Sequence, residues 1–120
     1  MRDLEIWRRL HAGTITPAEL ELVARWPIAR RGAYLGTVVT LVEHGDPAIR
    51  IAALHALSGV RGVPGVRAIV KSLDDGDEEV RRAAVTALRE TARDAPYRYV
   101  HALFHPRPEV RLDALAQPEL

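Results

Sequence analysis

Asp46–Leu57 reads DPAIRIAALHAL, and Asp77–Leu88 reads DEEVRRAAVTAL. A third and poorer copy, RPEVRLDALAQP, runs from Arg107 to Pro118. The anchors Ile49, Val80 and Val110 lie 31 and then 30 positions apart. The first two copies agree at Asp46/Asp77, Arg50/Arg81, Ala52/Ala83, Ala53/Ala84, Ala56/Ala87 and Leu57/Leu88. An aspartate in front of a helix accepts hydrogen bonds from its free first amides. Apolar residues at 3, 4, 7 and 8 positions from the anchor make one buried stripe. A unit of this size cannot bury that stripe alone, so a fixed period near 30 residues predicts stacked units, a solenoid.

The flanking sequence reads as further helices. Thr16-Pro17-Ala18-Glu19 has the form of a capping box with proline at the first helical position. Leu20, Val23 and Trp26 follow as an inward stripe, and Pro27 stops or redirects the helix. Before this, residues 2–11 place Leu4, Trp7 and Leu10 on one face, and Gly13 ends the segment. Residues 29–43 read as a single third helix, apolar through Leu35, Val38, Val39, Leu41 and Val42, with Gly45 as its stop. Ser58–Gly65 holds three glycines and Pro64, a turn. A helix at 64–73 then turns Val66, Ile69, Val70 and Leu73 inward. The second phrase runs on toward Arg93, and a partner helix at 96–104 sets Val100, Leu103 and Phe104 inward.

The expected architecture is all-α, a right-handed solenoid of paired antiparallel helices in one domain, residues 1–120. Residues 1–15 form an N-terminal capping helix. Helix pairs occupy 16–45, 46–75 and 76–105, and 106–120 is half of a fourth unit. Solenoid ends need closing caps, so the half unit leads to the expectation that the chain continues past Leu120 or that a partner covers this end.

Composition bounds the function. The 120 residues are 48% apolar and 28% charged, ordinary for a soluble globular domain, and only 5% aromatic, so alanine and aliphatic residues must build the core. Seventeen basic against 16 acidic residues leave a net charge of +1, which argues against bulk nucleic acid or an anionic membrane as the dominant partner. No cysteine is present, which excludes disulfides and thiolate metal sites. The charged stretch Met1–Leu10 lacks the apolar centre of a signal peptide. The longest uncharged run, Gly32–Val42, is about half of the ~20 residues a membrane span needs. A cytoplasmic protein is expected.

An aspartate, a β-branched residue, an arginine, then Ala-Ala and Ala-Leu on paired helices resembles HEAT repeats. The likeness is greatest to the short bacterial HEAT-like units grouped with phycobilisome lyases. It rests on Asp46, Ile49, Arg50, Ala52, Ala53 and Leu57, and on their counterparts Asp77, Val80, Arg81, Ala83, Ala84 and Leu88. It covers residues 44–115 and is weak before them. In the third copy Arg107 stands where the capping aspartate should be, and Asp113 where the first alanine should be. The resemblance implies that the aspartate caps, that the arginine joins a ladder with acidic groups of adjacent units, and that the curved surface serves partners. It carries no catalytic activity, because fold does not fix function.

Chemistry-bearing patterns are sparse. The His-Glu dipeptides of di-iron members of the resembled family have no counterpart; Glu43-His44 is reversed and single. His101 and His105 are spaced i, i+4, but no third ligand with motif spacing accompanies them, so no metal and no cofactor are expected. His11, His44 and His55 are isolated. No Gly-x-Ser-x-Gly and no phosphate-binding loop occurs. Trp7 and Trp26 are expected to pack the first helix onto the first pair.

The second helix of each pair is more informative. Repeat alignment brings Thr40, Lys71 and His101 into one column, Gly36, Arg67 and Tyr97 into another, and Thr37, Ala68 and Arg98 into a third. In HEAT-like solenoids the second helices line the concave face. The resemblance therefore gathers Arg30, Arg31 and Tyr34 with Arg67 and Lys71, and with Tyr97, Arg98 and His101, into a mildly basic concave patch. Charge on an exposed helix needs no partner, but arginine and tyrosine are the types enriched at interfaces. The expected function is a non-catalytic scaffold or regulatory module that binds another protein or a neighbouring domain there. The alternative is a lyase-type chromophore-attachment accessory or another enzyme subunit. A nucleic-acid-binding module comes third, because the near-zero net charge counts against it.

Overall fold

Capping residues set the helix starts. The computed structural model describes residues 3–117; Met1, Pro118 and Leu120, named above, lie outside them. The Thr16 hydroxyl accepts from the Glu19 amide at 3.2 Å, and the Glu19 carboxylate accepts from the Thr16 amide at 2.9 Å. This closes the box that starts α2, Pro17–Ala24. The Asp46 carboxylate accepts from the Ala48 amide at 2.9 Å and starts α5, Pro47–Leu57. Asp77 accepts from Glu79 and Val80 at 2.8 and 3.1 Å and starts α7, Glu78–Thr91. The remaining helices are α1, Asp3–Ala12; α3, Ile28–Ala33; α4, Leu35–Leu41; α6, Val63–Ser72; α8, Tyr97–Leu103; and α9, Pro108–Leu115. No strand occurs among the described residues, and none of their helices is long and apolar enough to cross a membrane.

The first helices α2, α5 and α7 stack in one layer, and α4 packs beside α6 in the second. Each second helix also rests on the first helix of the following unit: α4 on α5, α6 on α7 and α8 on α9. Stacking along one axis gives extents of 42 × 29 × 18 Å. Ile49, Ala52, Ala53, Ala56 and Leu57 are all buried, and so are Val80, Ala83, Ala84, Ala87 and Leu88. The two stripes differ only in Ile49 against Val80, and their small alanines suit the close packing of α5 with α7. The turn from α5 to α6 needs its glycines: Gly59 and Gly62 have φ of +81° and +130°, which a Cβ disfavours.

Several local expectations change. The segment 29–43 is two short helices meeting at Tyr34, whose φ and ψ of −110° and 17° are not helical, so the chain bends there. That segment carries Gly32, Gly36 and four β-branched residues between them and Val42, poor support for one long helix. Gly45 comes after the helix has already ended at Leu41. In α1 the inward pair is Ile6 and Leu10, while Leu4 is 58% and Trp7 38% exposed. Residues four apart share a helix face, and α1 leans that face onto α2 and α4. Trp26 is buried as expected. In α8, Tyr99 and Leu103 are buried and Val100 only half so. Tyr99 lies in repeat register with the buried Val38 and Ile69, a signal that the apolar spacing within α8 alone conceals.

A device in the turns repeats with the phrase. His44, Asp75 and His105 each stand two residues before the position that precedes a first helix. His44 Nδ1 accepts from the Asp46 amide, Asp75 Oδ1 from the Asp77 amide and His105 Nδ1 from the Arg107 amide, at 3.0, 2.9 and 3.0 Å. The carbonyls of the same three residues receive the repeated arginines Arg50, Arg81 and Arg111, six positions on, at 2.9, 2.8 and 2.8 Å. Arg50 also grips the Asp75 carboxylate with two N–H donors, at 3.0 and 3.1 Å, which ties one unit to the next. Arg111 reaches back to Asp74. Burial pushes the Asp75 carboxyl up, but the Asp77 amide, the Arg50 fork and the Arg81 charge together hold it below its ordinary 3.8.

α9 breaks the pattern. It does not continue the α2–α5–α7 stack; its principal contacts are with α8 and α6. Asp113 occupies the column of the buried Ala52 and Ala83, and it is exposed. A carboxylate in that column would lose its hydration without a partner. α9 buries Arg111 and Leu115, and its anchor Val110 is only half-buried.

Candidate partner-binding surface

The outer positions of the second helices follow the repeat register. Gly36, Arg67 and Tyr97 are exposed in α4, α6 and α8, and so are Thr40, Lys71 and His101. The column of Val38, Ile69 and Tyr99 faces the core in all three. The third column is irregular, because Thr37 is half-buried, Ala68 buried and Arg98 exposed.

The eight residues singled out from the sequence fall into separate groups. Arg30 and Tyr34 belong to the N-terminal end. Arg30 donates to Asp3 at 2.7 Å and lies 3.9 Å over the Trp26 ring. The Tyr34 ring meets those of His11 and Trp26, each at 5.9 Å. These contacts fasten α1 to α3 and α4. Arg31 donates to the Trp26 carbonyl at 2.9 Å and to the Ala56 and Ser58 carbonyls at 3.1 and 2.8 Å. It closes the C-terminal end of α5, and burial lowers its pKa below the ordinary arginine value. Its Nε and one terminal nitrogen are engaged within the fold, which ties Arg31 to the end of α5.

Arg67 and Lys71 stand on the exposed side of α6, one turn apart. Lys71 pairs with Glu43 at the end of α4, and that hydrogen bond holds the Glu43 carboxyl below its ordinary range. Arg67 has neither an acidic partner nor a hydrogen-bonded one among the described residues. Apolar-walled clefts flank both sides of α6. One, of about 270 Å³, lies against α9 and is walled by Val70, Pro108, Leu112 and Leu115. The other, of about 230 Å³, lies against α4 and is walled by Val39, Val42, Pro64 and Ala68. Arg67 and Lys71 border both.

Tyr97 and His101 stack with ring centroids 5.8 Å apart, and Tyr97 is 80% exposed beside the exposed Arg98. They sit on α8, which rests on α9. Among the described residues no three His, Asp or Glu side chains converge as a metal site would require. The histidines have other contacts: His105 holds its turn, His101 stacks on Tyr97, and His55 meets Glu21 at 2.7 Å. Leu112 was missed from the sequence, although an exposed leucine on a degenerate repeat helix is a signal that the alignment of the three phrases contains.

The sequence model of one family, described as HEAT repeats, matches residues 23–89, more than half of the chain. No curated protein and no solved structure matches.

Proposed function

The chain belongs to the HEAT-repeat family, and from that membership we propose that it is a non-catalytic scaffold or regulatory module that holds a partner protein or neighbouring domain on its second helices. HEAT repeats commonly mediate protein–protein interaction, which supports the general class. The organisation behind the proposal is a right-handed superhelix of units 16–45, 46–75 and 76–105, capped by 1–15 and followed by the partial unit 106–120. Its concave side carries Arg67 and Lys71 at the centre, with Tyr97, Arg98 and His101 toward one end and Arg30 and Tyr34 toward the other.

The observation that carries this reading is Arg67, an exposed arginine between two apolar clefts with no partner among the described residues. Arginine beside apolar pockets is the composition from which interface hot spots are built. The experiment is affinity purification of the full chain from its native cell, comparing wild type with the double variant Arg67→Glu, Lys71→Glu. A protein retained by the wild type and lost by the variant is expected. Retention of the same protein by both moves the binding surface elsewhere.

A further inference from the structure

We propose that the α6 ridge seats an acidic amphipathic helix, with carboxylates on Arg67 and Lys71 and apolar side chains in the flanking clefts. This rests on the scaffold reading and names the chemistry of the partner. The ridge carries two cations at i, i+4, which places them about 6 Å apart. That spacing matches carboxylates one turn apart on a second helix. Arg67 is uncompensated among the described residues. The Lys71–Glu43 pair is exposed on both sides, and exposed pairs contribute little to stability, so Lys71 can exchange its partner at small cost.

The walls supply the other half of the match. Leu112 is 63% exposed over the larger cleft. Its counterparts in the other phrases are Ile51, which packs against the core, and the exposed charged Arg82. The α9 helix, displaced from the first-helix stack, therefore presents an uncovered leucine toward the α6 cations. At about 270 and 230 Å³ the clefts fall below the ~300–1,000 Å³ of small-molecule sites, a size suited to side chains. A phosphate backbone fits poorly, because the cleft walls are apolar and the chain's net charge is only +1. A basic helix would place its charges against Arg67.

Selection from a displayed library of random peptides of about 16 residues, long enough to form a helix, tests this on the full chain. Enriched sequences are expected to combine Leu, Ile, Phe or Trp with Asp or Glu one helical turn apart. A labelled synthetic copy of the most enriched peptide is expected to lose roughly tenfold or more in affinity with Arg67→Glu and with Leu112→Ser. Arg61→Glu, in the turn before α6, is expected to leave binding within about twofold, as an exposed charge outside the clefts does. Thermal melts of each variant establish that it is folded. Enrichment of basic or uncharged peptides that still depend on Arg67 overturns the acidic helix and leaves the scaffold reading standing. No enrichment, or binding indifferent to both substitutions, overturns the groove; the co-purification experiment then decides the scaffold reading separately.

Discussion

α7 and α9 carry the same phrase and behave differently. α7 stacks on α5 and buries Val80, Ala83, Ala84, Ala87 and Leu88, and its arginine closes the turn before it. α9 keeps the turn device, with Arg111 on the His105 carbonyl, but leaves the stack and rests on α8 and α6. The turn survives on one arginine and one acceptor. The stack needs every residue on its stripe to be small or apolar, and the third phrase puts Asp113 and Gln117 where the first two have alanine. The displaced helix then creates the cleft beside α6.

The comparison breaks most sharply if the difference is moved from one helix to the other. Ala52→Asp puts the α9 residue into the α5 stripe and buries an unpaired carboxylate, with an expected loss of about 3–5 kcal/mol. Asp113→Ala, at an exposed position, is expected to change stability by less than about 0.5 kcal/mol. Urea denaturation of the two variants reads both, and an Ala52→Asp protein as stable as wild type would refute the stacking account.

Next in size is the inter-unit arginine fork. Asp75→Asn removes the charge that Arg50 grips and is expected to lose about 2 kcal/mol at pH 7. The Asp75 pKa is lowered in the folded protein, so this stabilisation is complete above the ordinary value of 3.8 and is lost as pH falls through the folded value. The gap between wild type and Asp75→Asn is therefore expected to close in denaturation series taken below pH 3.8, and a gap independent of pH would rule out the ion pair as its source.

The smallest effect is a gain. Arg107 stands where Asp46 and Asp77 cap, and its side chain makes no capping hydrogen bond. Arg107→Asp is expected to add about 1 kcal/mol. An unchanged melting temperature would mean that the α9 start does not use a cap as the other phrases do.

Periodicity and capping chemistry made most of this legible from the residues. Thr16, Asp46 and Asp77 act within three residues of themselves, and the stripes of α5 and α7 need no knowledge of their neighbours. The turn acceptors were not visible, because His44, Asp75 and His105 share a lone pair at the right place and no side-chain type. The candidate surface was legible in part. The register that exposes Arg67 with Tyr97, and Lys71 with His101, follows from counting. Arg31 looked like its neighbours, and only the α5 carbonyls around it show what it does.

Local chemistry thus established the helices, their order and their stacking residues, since capping and amphipathic spacing act over one or two turns. The bend at Tyr34, the rotation of α1 onto Ile6, the departure of α9 and the clefts beside α6 depend on which surfaces meet. Those outcomes compare the burial of one helix face with another against the helices around it, and no local pattern records that comparison.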